Sequence, residues 1–325
     1  MNLNSKWAQL NSALLEGDGL KTLRLSEHCI LELFLAIDKD KCRYLILHLP
    51  DDFQPSINIL ENENIVLTYS CAQQLIAIKL IDIEFRDLFD DLIESLFNAI
   101  SKESSIEIAS RRLVENFVKW NQFFRKLERK VYSEKTILGI WGELFTLKKL
   151  IEKKSKAIEV DKVLEAWTGP LDSVHDFTFS NKSIEVKTKL TTQNAINIAS
   201  EFQLDLGAAE SLELCIVNVE KDINGVTIGN LYSKIKESIL EKSADLSLFI
   251  ARLIALKLDE RSLKRYDNYS YKALKVTYYN CLDERFPKIV RGRLDEEVFS
   301  VKYKLDVSSL NEFILYTENC PLPLN

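Results

Sequence analysis

Residues 171–189 read LDSVHDFTFSNKSIEVKTK, and the reading of this stretch decides the fold. Asp176-Phe177-Thr178-Phe179 alternates polar with apolar, Ser180-Asn181-Lys182 supplies turn formers, and Ser183-Ile184-Glu185-Val186-Lys187-Thr188-Lys189 alternates again, which predicts a β-hairpin. By the two-residue period Phe177 and Phe179 share one face of the first strand, Asp176 and Thr178 the other. In the second strand Ile184 and Val186 point to a core, while Glu185 and Lys187 share the opposite face. His175 falls on the apolar side and reads as a structural histidine. Alternating Glu and Lys is also what a solvated strand face carries. In that case Glu185 and Lys187 only pair, and Glu143 and Asp176 lie far apart in space.

Upstream, Trp167-Thr168-Gly169-Pro170 is a turn signal. Before it, KTILGIWGELFTLKKLIEKK (135–154) predicts a helix with Ile140, Leu144, Leu147 and Ile151 along one stripe and Gly139 and Gly142 allowing a neighbour to approach. Glu143 lies beside that stripe. A carboxylate there reaches solvent at the stripe's edge, or else it is hydrogen-bonded, paired or metal-linked.

Asp176 and Glu185 offer hard oxygen ligands that suit Mg²⁺ or Mn²⁺ better than zinc, with Glu143 as a further ligand directly or through water. Hydrolysis of a phosphodiester is the chemistry that asks for such a set. A cation offsets charge on the phosphate, and a lysine at Lys187 orients or helps deprotonate the attacking water and stabilises the transition state.

These residues carry a resemblance. Gly142-Glu143-Leu144, the Trp167–Pro170 turn, His175-Asp176-Phe177, Glu185-Val186-Lys187 and Ser200-Glu201-Phe202-Gln203-Leu204 resemble the PD-(D/E)XK nuclease superfamily, and more closely a bacterial group of PD-(D/E)XK motif proteins. Phe286-Pro287 and Val301-Lys302-Tyr303-Lys304-Leu305 resemble that group too. One departure is that His175, not proline, precedes Asp176. The resemblance implies a restriction-endonuclease-like α/β core with a mixed sheet flanked by helices, Mg²⁺ dependence, and action on DNA within a restriction or anti-phage defence locus, as a homodimer or beside partner proteins. It also implies that Gln203 sits near the site, its amide on a phosphate or on the catalytic lysine. Lys189, on the same strand face as Lys187, is a candidate phosphate contact.

The first third mixes strand-like runs, CRYLILHLP (42–50) and NIVLTYS (64–70), with a helical pattern at 85–100, a small α/β domain. Asp51, Asp52, Asp90 and Asp91 read there as solvated turn and helix residues. Leu113, Phe117, Trp120, Phe124, Leu127 and Val131 then mark one face of a long helix that could bridge two domains. Towards the C-terminus, 212–219 reads as a buried strand, Asn224-Gly225 as a turn, 232–240 and 246–258 as helices, and 274–282 and 298–305 as strands. These runs divide the chain at 1–105, 106–220 and 221–325. Arg261, Lys264 and Arg265, with tyrosines interleaved, and Lys288, Arg291 and Arg293 are the best basic groupings for DNA contact.

The 325 residues carry a formal charge of −6, which argues against a protein that merely coats nucleic acid. The acidity is local, since residues 1–100 hold 8 basic and 16 acidic groups and the remainder is close to neutral. Six dispersed cysteines without CxxC and three unpaired histidines argue against zinc and iron–sulfur sites and suit a reducing compartment. With no signal pattern at MNLNSKWAQL and no long apolar run, the expectation is a cytoplasmic protein without a membrane span. The readings that follow are a Mg²⁺-dependent DNA endonuclease, or a non-catalytic DNA- or partner-binding subunit that keeps the nuclease fold.

Overall fold

The computed structural model describes residues 2–12, 19–27, 29–49, 60–61, 64–124, 131–207 and 209–320. Its contacts divide into two units, one of Met1–Glu128 with Asp245–Ser247, the other of Arg129–Ala244 with Leu248–Asn325.

In the first unit, helix α1 (Leu3–Ser12) precedes strands β1 (Lys21–Arg24), β2 (Glu32–Ile37), β3 (Arg43–His48), β4 (Leu60–Glu61), β5 (Ile65–Ser70) and β6 (Leu75–Leu80). Among the described residues these strands form an antiparallel sheet in the order β1-β2-β3-β6-β5-β4. Helices α2 (Arg86–Ile100) and α3 (Ile106–Asn121) follow and pack on each other, with Trp120 Nε1 donating to Ser95 Oγ at 3.2 Å. Asp90 and Asp91 are not solvated. Asp91 is buried, and Asp90 accepts from Trp7 Nε1 at 2.8 Å and from Arg43 Nη1 at 2.9 Å, tying α1 and β3 to α2. Burial drives the Asp90 carboxyl up to about 6 although Arg43 opposes the shift. Asp51 and Asp52 lie outside the described residues.

The aromatic stripe expected to run to Val131 is shorter than its spacing suggests. Leu113, Phe117, Trp120 and Phe124 are buried, but the helix tightens into a 3₁₀ turn at Gln122–Phe124, and Val131 is 83% exposed and outside it. Leu127 lies outside the described residues. Because α3 packs on α2, residues 106–124 group with the N-terminal unit and not with the hairpin.

The second unit is built around the hairpin. Helices α4 (Glu134–Glu152) and α5 (Ala157–Ala166) lead into β7 (Phe177–Thr178), β8 (Lys182–Leu190), β9 (Ala195–Ile198) and β10 (Ser211–Val226). Then come α6 (Ile228–Glu241), α7 (Leu246–Ala255), α8 (Glu260–Leu263), β11 (Tyr271–Asn280), β12 (Tyr303–Asp306) and β13 (Ile314–Asn319). The main sheet runs β13-β11-β10-β8-β7 and is mixed, with β8 and β10 parallel and the other pairs antiparallel. Residues 221–325 are therefore part of this unit, because β11 and β13 complete its sheet. The Asn224-Gly225 turn is absorbed into β10 as a bulge, where Lys221 and Val226 both pair with Tyr271 and the intervening residues are looped out.

Both faces of β8 are covered. Ser183, Glu185 and Lys187 lie beside Leu212, Leu214 and Ile216 of β10, which pack in one core with Ile196 and Ile198 of β9 and Leu305 of β12. The other face meets α4, where Thr188 Oγ1 would stand 1.7 Å from a Cβ on Gly142. Gly142 is thus the residue that lets α4 lie down on β8, whereas a Cβ on Gly139 would meet nothing within 4 Å.

Candidate active site

The site begins with a strand that stops early. β7 pairs Phe177 with Ile184 and Thr178 with Ser183, and its ladder goes no further, so the β8 edge beyond Ile184 lacks a backbone partner from β7. The Val186 N–H on that edge instead donates to Asp176 Oδ2 at 2.7 Å. Asp176 is held in turn by its own carbonyl, which accepts from Thr168 N at 2.9 Å and Gly169 N at 3.0 Å. The Trp167–Pro170 turn is thus a clamp on the residue that the sequence singled out.

The same turn gathers the second carboxylate. Trp167, fully buried, donates its Nε1–H to Glu143 Oε2 at 2.9 Å. Both Glu143 Oε2 and Asp176 Oδ1 stand 3.0 Å from where a Gly169 Cβ would be, so the two acids face each other across a glycine that leaves them room. Glu143 comes from α4, on the opposite face of the sheet from Glu185, and it meets the others at the open edge of β8. The arrangement in which Glu143 and Asp176 lie far apart does not occur.

Glu185 is 1% exposed, which is incompatible with a solvated strand face. Its Oε1 accepts from Lys187 Nζ at 2.6 Å, and its Oε2 is buried without a hydrogen-bond partner. Lys187 Nζ also donates to Gln203 Oε1 at 3.1 Å, an oxygen that accepts from Ala199 N at 2.7 Å. Gln203 therefore sits on the lysine. Lys189 is spent differently, since its Nζ donates to the Gln193 carbonyl in the turn after β8.

The electrostatics follow from crowding acids in a buried place. Burial pushes Glu143 well above the usual carboxylate range, and the Asp176 charge adds to that. Burial also raises Asp176, opposed by Lys187 and by the Val186 N–H. Glu185 is pushed up to about 8, by burial and then by Asp176, with Lys187 opposing. Burial works against the Lys187 charge, but Glu185 and Asp176 outweigh it and hold the ammonium above its ordinary value.

An open cleft of about 620 Å³ exposes this group, with Lys135, Lys189 and Lys221 also on its walls. Lys221 pairs with Glu134 at 2.5 Å. Arg261, Lys264, Arg265, Lys288, Arg291 and Arg293 are not among the residues lining it. Arg261, Lys264 and Arg265 are exposed around α8. Tyr266 and Tyr271 beside them are buried, and the Tyr266 hydroxyl accepts the Tyr132 N–H at 3.0 Å, so neither is a stacking platform. Lys288 donates to the Cys281 carbonyl, and Arg291 to the Val298, Leu294 and Asp295 carbonyls. Arg293 is exposed.

Among the described residues no group of three His, Cys, Asp or Glu side chains is set to hold a metal ion. The donor chemistry nevertheless fits a hard divalent cation. Glu185 Oε2 is a buried orphan, and Asp176 Oδ1 and Glu143 Oε2 border one gap. The Lys187 ammonium sits on the other Glu185 oxygen at 2.6 Å.

Two features of the site were not read from sequence. One is the indole bond to Glu143 and the other is the backbone clamp on Asp176; the only signal for either was the Trp-Thr-Gly-Pro turn itself.

A mixed sheet with a short hairpin strand, a Glu from the preceding helix and a Glu-x-Lys on the central strand defines a protein of the restriction-endonuclease-like class. The chain belongs to the family described as "Putative PD-(D/E)XK family member, (DUF4420)", whose model matches residues 3–308. No curated protein and no solved structure matches it. Among the described residues no helix is long and apolar enough to cross a membrane.

Proposed function

We propose that the chain is a Mg²⁺- or Mn²⁺-dependent DNA endonuclease of a cytoplasmic restriction or anti-phage defence system. The observation that carries this reading is the meeting of Glu143, Asp176, Glu185 and Lys187 at the open edge of β8, within a cleft. Glu185, Asp176 and Glu143 would hold the cation, which when bound offsets charge on the non-bridging phosphate oxygens and lowers the pKa of a water ligand.

The remaining work falls to the chain's own groups. Gln203 and Glu185 fix the Lys187 ammonium from two sides, so that it orients the attacking water and stabilises charge developing on phosphorus without first having to reorganise. Trp167 keeps Glu143 turned towards Asp176. The cleft is open, as a polymer substrate requires, and Lys135 at its wall supplies positive charge for the backbone. Action as a homodimer or beside partner proteins belongs to the same proposal, since one such site cuts one strand.

The test is incubation of wild type and Lys187→Ala with duplex and single-stranded DNA, with Mg²⁺, Mn²⁺ or EDTA. EDTA-sensitive cleavage lost in Lys187→Ala is the expected result. Cleavage that survives either EDTA or the substitution overturns the assignment. A wild type that binds duplex tightly and cuts with neither metal is the non-catalytic subunit, a reading favoured by the absence of a closed ligand cluster among the described residues.

A further inference from the structure

A second cavity, of about 440 Å³, adjoins the candidate active site and is lined by a different set of residues, among them His175, Thr178, Ser183, Phe202 and Leu206. Its relation to the cleft is built into the chain. His175 precedes Asp176, Phe202 precedes Gln203, and Ser183 stands two positions before Glu185, the first of each pair lining the cavity and the second the cleft. Ser183 and Glu185 share one face of β8, so the two spaces are separated by about 7 Å along the strand. That is the scale of one nucleotide.

The walls have an unusual chemistry for a surface hollow. Phe202 is 43% exposed, although the core beside it has room for Leu204 at 0%. Val174 on the same wall is also exposed, and Phe179 is half-buried. His175 is 8% exposed, its ring hydrogen-bonds with the Asp205 backbone, and its Nε2 is buried with no partner. An exposed aromatic with apolar Val174 and Phe179 on the same wall suits a flat heterocycle that stacks on its face.

We propose that this cavity receives the base of the nucleotide next to the phosphate held in the cleft, stacked on Phe202. The inference rests on the nuclease reading, and it adds to it a base-holding subsite that makes the enzyme act on an unpaired or extruded nucleotide. A base within a stacked duplex cannot enter. Single strands, frayed ends and distorted duplexes are then the preferred substrates.

The experiment uses the full chain with Ca²⁺ and two tetranucleotide probes, d(AAAA) and the same sugar–phosphate backbone with all four bases removed. Stacking of one base on an aromatic side chain contributes about 1–3 kcal/mol, so Phe202→Ala should weaken d(AAAA) binding by about 5- to 150-fold and leave the abasic probe unchanged. Phe202→Trp should restore the difference between the probes, and thermal melting of each variant checks that the fold is kept. Equal weakening of both probes by Phe202→Ala, an effect on d(AAAA) within about twofold, or no binding of either probe to wild type overturns the proposal. Cleavage in Mg²⁺ is scored separately. Cutting without probe discrimination sinks the base subsite alone, and discrimination without cutting sinks the nuclease reading alone.

Discussion

Asp176 Oδ2 accepts the Val186 N–H at 2.7 Å, so a side chain takes the place of the strand neighbour that β7 is too short to provide. The acid assigned to the metal is at the same time part of the sheet. Asp176→Ala should therefore abolish cleavage and also cost about 1–3 kcal/mol of stability, because it leaves a buried amide without an acceptor. Asp176→Asn keeps an acceptor oxygen, and should lose activity while losing less stability. Urea denaturation of the two variants beside cleavage assays separates the roles.

Glu185 ties stability to pH. Its carboxyl is raised from an ordinary value of 4.5 to about 8 in the folded protein, so the native state holds a proton that the unfolded chain releases earlier. That contribution is complete below pH 4.5 and is lost as the pH rises through about 8, with about 1.4 kcal/mol going for each pH unit crossed between the two values. Metal-free wild type should lose stability over this window, and Glu185→Gln should flatten the slope in melting curves recorded without metal.

Trp167→Phe keeps most of the buried aromatic surface and deletes the one indole donor to Glu143. Removing a hydrogen bond that orients a metal ligand lowers metal affinity by about 10- to 100-fold in other proteins. A rise of that order in the Mn²⁺ concentration needed for half-maximal cleavage is expected, with little change in rate at saturating metal.

Gly142→Ala gains about 1 kcal/mol of helix propensity but drives a methyl into Thr188, whose Oγ1 lies 1.7 Å from the new Cβ position. Overpacking of this kind costs about 1–3 kcal/mol, so the variant should be destabilised. Thr188→Ala added to it should recover part of the loss, read as the sign of the coupling in a double-mutant cycle.

The hairpin, Glu-x-Lys, and the helix carrying Glu143 were legible because they depend on local alternation and on helical spacing. The burial of Glu185 was not, because the same alternation describes a wet strand, and only the β9–β12 pair closing over that face decides between them. The length of β7 was equally hidden. Asp176 belongs to the same polar–apolar alternation, but the ladder begins only at Phe177, and the edge left bare beyond Ile184 is what admits Glu143 and the Asp176 carboxylate. The basic groupings show a related gap between sequence and side-chain placement. Clustering in sequence says nothing of where side chains point, and Lys288 and Arg291 turn to backbone carbonyls. The long aromatic helix failed at its end, where periodicity continued past the residue at which the backbone left the helix.

Lys187 resting on Glu185 has a bearing on how the protein survives before it meets an ion. Carboxylates brought this close repel, and a zinc-finger-like chain would solve that by staying unfolded until metal arrived. Here an ammonium on the same strand is a resident counter-charge, so the sheet can assemble and wait. The chain should emerge folded from purification in EDTA, its acids already balanced by a charge of its own.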